Sequence, residues 1–108
     1  MNERPLEIVS DGLKLQGVLT APESDFWPLV ILCHGLLSHK DSSKYKQLAQ
    51  IFAQESIATV RFDFRGCGDS EGLLAESSVS RRWRDLQKVM ARGLELDGFD
   101  GRLGLLGS

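Results

Sequence analysis

"IATVRFDFRGCGDSEG", residues 57–72, begins as a strand and ends as a loop dense in glycine. Ile57, Thr59 and Val60 are β-branched and sit among apolar neighbours, which predicts a strand over 57–63. Gly66, Gly68 and Gly72 then fall within seven residues, and such density marks backbone positions that other residues would find strained. A strand that runs straight into a loop of this kind fits the carboxyl edge of a parallel sheet, where α/β proteins bind ligands. The flanking elements decide whether that sheet exists.

Upstream, "LVILC" (29–33) is a continuous apolar run, as expected of a strand buried on both faces. Between it and residue 57, Tyr45, Leu48, Ala49 and Phe52 recur at helical spacing, with Asp41, Ser42 or Ser43 available as the cap. Downstream, Val79, Trp83, Leu86, Met90 and Leu94 mark one face of a second helix that starts near Ser78 or Ser80. "DGFDG" breaks that helix and "RLGLLG" (102–107) reads as the last strand. At the other end, "PLEIVS" and "LKLQGVLT" meet at Asp11-Gly12, a strong hairpin signal because both residues tolerate positive φ. The order is an antiparallel hairpin followed by βαβαβ, which makes an α/β fold with a mostly parallel sheet and helices on both faces. Its crossovers should be right-handed.

Three loops leave the carboxyl ends of the parallel strands: "HGLLSHK", "FRGCGDSEG" and the final "GS". In the first, Gly35 permits a sharp change of direction after His34. The amide of Leu36 could then face a cleft and stabilise a developing oxyanion, although an ordinary strand-ending turn needs the same glycine. In the second, Arg65 could pair with Asp69 or Asp63 and hold the loop in shape. A phosphate cradle is disfavoured, since G-x-G-x-x-x-G is one residue longer than the dinucleotide fingerprint and "GLLSHKDS" lacks the Gly-Lys-Ser/Thr of a P-loop. His34 and His39 precede any plausible nucleophile, so structural or surface roles are expected of both. Cys33 reads as a small buried hydrophobe and Cys67 as a loop residue open to solvent.

Composition narrows the function further. Thirteen basic and fifteen acidic residues among 108 argue against a nucleic-acid binder, and Arg81, Arg82 and Arg84 read as a solvated helix face. No apolar run approaches the roughly 18 residues of a membrane span, and "MNERPLEIVSDG" has no signal-peptide pattern. Two widely spaced cysteines suit neither a disulfide scaffold nor a zinc site, so reduced thiols, a cytoplasmic location and no metal or cofactor are expected.

With these residues in place, nearly the whole chain resembles the N-terminal part of the α/β-hydrolase family. "DFRGCGDSEG" is similar to the Asp-x-Arg-Gly-x-Gly-x-Ser-x-Gly loop of its esterase, lipase and peptidase members, and His34-Gly35 lies about thirty residues earlier as it does there. The resemblance implies that residues 1–108 form one incomplete domain whose last strand runs into the nucleophile elbow, Gly-x-Ser-x-Gly. Gly107 would match the first glycine and Ser108 the variable position, placing the nucleophile one residue beyond. Were Ser108 itself the nucleophile, position 106 should be glycine, and it is Leu106. The acid and the catalytic histidine would follow later still. What the resemblance assigns to this chain is the backbone N–H of Leu36 as half an oxyanion hole, with His34, Gly35, Asp63, Arg65, Gly66, Gly68 and Gly72 shaping the loops. The parent would be a serine hydrolase acting on a small ester, thioester or amide, with the 108 residues inactive alone. The alternative is a non-catalytic module that binds a partner, or a second copy, through an exposed and apolar last strand. Such an edge also predicts marginal stability.

Overall fold

A computed structural model describes residues 1–35 and 37–107. The chain forms β1 (Asn2–Ser10), β2 (Leu13–Ala21), β3 (Trp27–Cys33), α1 (Ser43–Gln54), β4 (Ala58–Phe62), a single 3-10 turn (Leu74–Glu76), α2 (Val79–Leu94) and β5 (Phe99–Gly107). The strands make one sheet in the order β1-β2-β4-β3-β5. β1 and β2 are the antiparallel hairpin, β2 runs antiparallel to β4, and β3 is parallel to both β4 and β5.

The hairpin closes over Asp11 (φ 49) and Gly12 (φ 78), so both residues of the two-residue turn are left-handed, as its match to strand twist requires. Three strands outrun their apolar runs, β5 by starting at Phe99 instead of Arg102. β1 reaches back to Asn2 through Pro5, which an edge strand tolerates because an outward-facing N–H is not needed there. β3 starts at Trp27, and Pro28 falls where the pairing with β5 slips between Trp27 and Leu29.

Alternation along β4 separates two faces. Ala58, Val60 and Phe62 join Leu15, Leu19, Leu29, Ile31 and Val89 in the main core, so α2 covers this face. Thr59 and Arg61, both buried, point to the other face, where α1 packs on β4 and β2 through Tyr45 and Ala49. Ser42 is the N-cap of α1 and Ser78 that of α2, whose Oγ accepts the Arg81 N–H at 3.3 Å.

The buried stripe of α2 departs from the apolar one. Asp85, Val89 and Gly93 are buried, while Val79, Trp83 and Leu94 are exposed. Gly93 lets the helix approach the sheet closely, since a Cβ there would lie 2.8 Å from Leu29 Cδ2. β5 pairs with β3 on one side and with no other strand among the described residues. Leu105, opposite Ile31, and Leu106, opposite Leu32, are both exposed and lie on opposite faces of the sheet.

Candidate active site

The register of the parallel strands sets the site. Cys33 lies opposite Phe62 on one side and Gly107 on the other, so β3 and β4 end level, their loops leave from one edge, and Gly107 of β5 lies beside them. Leu36, the expected oxyanion donor, and Ser108, the expected start of the elbow, lie outside the described residues.

His34 directly follows β3 and is buried. Its Nε2 accepts the Phe64 backbone N–H at 3.1 Å, and Nδ1 lies 2.8 Å from the Gly35 carbonyl. That pairing requires a neutral ring with the proton on Nδ1. Burial lowers the His34 pKa below its ordinary value, against the opposing pull of the Gly35 carbonyl and Asp63. The ring also meets Phe64 edge-on at 5.1 Å. His34 is thus a strut between the two loops. His39 is exposed, and its Nδ1 accepts the Asp41 N–H at 3.2 Å. Between the two histidines, Leu37 carries a positive φ of 62° and is exposed.

Asp63 leaves β4 fully buried. Its Oδ1 accepts the Lys40 backbone N–H at 2.7 Å, while its Oδ2 accepts Lys40 Nζ at 2.9 Å and the Asp69 N–H at 3.0 Å. Gly66 (φ 75), Gly68 (φ 49) and Gly72 (φ 101) are all left-handed. At Gly66 a Cβ would lie 2.4 Å from the Leu73 backbone, so the two ends of the loop can touch only because that atom is missing. The loop is also laced to β2: Glu71 N–H donates to the Lys14 carbonyl at 3.0 Å and Gln16 N–H to Ser70 Oγ at 2.9 Å.

The expected pairing of Arg65 with Asp63 or Asp69 is not formed. Arg65 turns to the opposite side and binds Asp85 through its backbone N–H (2.9 Å), Nε (3.1 Å) and Nη2 (2.8 Å), with Asp11 as a further partner at 2.8 Å. Ser10 Oγ donates to the same Asp85 at 2.7 Å. Both ions of the Arg65–Asp85 pair are buried, and the group ties hairpin, loop and helix together behind the site. The aspartates near the front of the loop have a different cation, Lys40.

The arginine cluster is not merely solvated either. Arg82 stacks over Phe64 with 4.5 Å to the ring centroid and donates to Ser77 Oγ at 3.0 Å, while Arg84 pairs with Asp11 at 3.2 Å. Cys67 is buried rather than open, because the loop folds its side chain into the core beside Phe64. Burial raises its thiol pKa and pushes that of Cys33 up to about 11, so neither is an activated nucleophile. Among the described residues no cluster of His, Cys, Asp and Glu could hold a metal ion. A cavity of about 340 Å³ lies elsewhere, lined by Met1, Pro22, Glu23, Gln50, Ala53 and Gln54, and shares no residue with these loops.

A hairpin leading into parallel strands, with a His-Gly loop and a glycine loop at one sheet edge, is the front of an α/β hydrolase. Residues 27–97 match the serine aminopeptidase S33 family, and the chain belongs to it. The fold agrees with that of Est1E from Butyrivibrio proteoclasticus, solved with ferulic acid bound, at a TM-score of 0.89 with 24% identity over 94% of this chain and 41% of that one. An α/β hydrolase from Penicillium, GrgF, gives a TM-score of 0.88 with 23% identity, covering 99% and 37%. An esterase from Pyrococcus furiosus gives 0.81 with 24% identity, covering 98% and 40%. An uncharacterized 31.7 kDa protein of Escherichia coli is 29% identical over 102 residues, 93% of this chain and 35% of its own length. The chain therefore spans about a third of that relative.

Proposed function

We propose that these residues are the front third of a serine hydrolase that cleaves carboxylic esters, thioesters or amides by acyl transfer. The observation that carries this reading is the register of β3, β4 and β5, which brings the His34-Gly35 loop, the Asp63–Gly72 loop and Gly107 to one edge. In such a site a backbone amide of the first loop, which the resemblance assigns to Leu36, stabilises the oxyanion. The serine that attacks the carbonyl carbon follows Gly107-Ser108, and its acid and histidine come from later segments. Ferulic acid bound to a structural neighbour makes a small ester a reasonable first substrate. The two free cysteines fit a cytoplasmic setting.

Labelling with a fluorophosphonate tests the division of labour. The 108-residue chain should take up no label and hydrolyse no p-nitrophenyl acetate, whereas the gene product that continues through Ser108 should be labelled on the next serine. A longer product that stays unlabelled and inactive would overturn the reading.

A second reading rests on β5, whose outer edge is unpaired among the described residues and whose Leu105 and Leu106 are exposed on opposite faces. Free edges with apolar faces recruit further strands. On this reading the isolated chain pairs β5 with β5 of a second copy. Light scattering during gel filtration should show association that grows with concentration, and Leu105→Lys should return the chain to a monomer. A monomer at every concentration would dismiss it.

A further inference from the structure

The loop after β3 is tied to the loop after β4 at two places six residues apart: His34 holds the Phe64 amide, and Lys40 holds Asp63 and Asp69. Lys40 is an unusual anchor. Lysines are almost never this buried, yet this side chain is 5% exposed and its ammonium donates to Asp69 (2.8 Å), Asp63 (2.9 Å) and Asp41 (3.0 Å). Burial alone would lower its pKa, but the hydrogen bonds to Asp69, Asp63 and Asp41 outweigh burial and raise it, so the charge persists.

Stability does not call for that charge, because a well-packed apolar residue often serves as well without the desolvation cost. What a buried ammonium adds is direction: Asp63 and Asp69 fix where Lys40 sits against the loop after β4, and Asp41 completes its shell. Its own backbone N–H donates to Asp63 Oδ1 at 2.7 Å, so backbone and side chain grip the same carboxylate. Gly68 leaves room for that carboxylate, since a Cβ there would lie 2.3 Å from Asp63 Oδ2.

We propose that Lys40 is a positioning residue for the acyl-transfer site, clamping the end of the loop after β3 onto the Asp63–Asp69 loop so that the carboxyl edge of β3 and β4 keeps one shape when substrate binds. The proposal rests on the acyl-transfer reading for its consequence in catalysis, but the clamp itself is measurable without it. Lys40→Met keeps the aliphatic stem and removes all three ion pairs. Amide hydrogen exchange by NMR should show the Lys40, Phe64 and Asp69 amides exchanging about tenfold faster or more, while Val60 in β4 and Val89 in α2 keep their protection. A variant that only loses stability would speed every amide by a similar factor. That result, or no change at all, would overturn the proposal.

In the protein that carries the complete triad, Lys40→Met should lower kcat for p-nitrophenyl acetate by about ten- to a hundredfold with KM little changed. An unchanged kcat would also overturn it. Should the unsubstituted protein hydrolyse no ester, the acyl-transfer reading fails and the exchange pattern alone decides the clamp. Asp69→Asn, at an exposed carboxylate, should give the same local pattern at smaller amplitude, and it decides the matter if the methionine variant does not fold.

Discussion

Replacing Asp85 by alanine should destabilise the chain by about 3–5 kcal/mol, a large part of what a domain of this size possesses. The carboxylate is fully buried and accepts from Ser10 Oγ, the Arg65 backbone N–H and the Arg65 guanidinium. Its removal leaves the buried Arg65 cation with Asp11, at the solvent boundary, as its one carboxylate and with Ser10 Oγ at 3.5 Å. The loss comes from that stranded charge more than from the worth of the pair. A double replacement, Arg65→Met with Asp85→Leu, should therefore recover much of the stability. It should not recover all, because the Arg65 N–H loses its acceptor, at about 1–3 kcal/mol. Urea midpoints of the unsubstituted chain, Asp85→Ala and the double variant measure the effect. A double variant as unstable as Asp85→Ala would mean that the network is held by shape rather than charge.

The same network shows what could and could not be read from the sequence. Elements set by local chemistry were legible: the Asp11-Gly12 turn, the β-branched run of β4, and the left-handed glycines at 66, 68 and 72. The face of α2 was legible only in part, at Leu86 and Met90, which pack against the core. Counting apolar residues places the buried stripe along Val79, Trp83, Leu86, Met90 and Leu94, yet the helix turns Asp85 inward and leaves Val79 87% exposed. The reason lies twenty residues away, in an arginine that needs a buried acceptor. One clue was present: Asp85 is the sole acid in a helix that carries Arg81, Arg82, Arg84, Lys88 and Arg92. Proximity along the chain suggested Arg65 with Asp63 or Asp69, but once β4 ends strand alternation no longer governs direction, and the two side chains part. Lys40 gave no signal, because its three acceptors come together only when the loops fold.

Gly68→Ala should be comparably damaging, for reasons that can be separated. The residue is left-handed, which costs a side chain about 1–2 kcal/mol, and its Cβ would lie 2.3–2.6 Å from the Asp63 carboxylate. That carboxylate cannot step aside cheaply, because both oxygens are engaged, by the Lys40 N–H, Lys40 Nζ and the Asp69 N–H. Overpacking of this kind adds about 1–3 kcal/mol, so the total should approach that of Asp85→Ala. Gly12→Ala is the control: its φ of +78° is nearer that of Gly68 and nothing lies within 4 Å of its Cβ, so it bears the backbone strain alone. Urea unfolding should place Gly12→Ala well above Gly68→Ala in stability. Equal losses at the two positions would show that strain is the whole effect and that the Asp63 carboxylate is free to move. The Lys40 clamp could not then be rigid, so this comparison tests with stability alone the geometry on which positioning of the residue 34–40 loop depends.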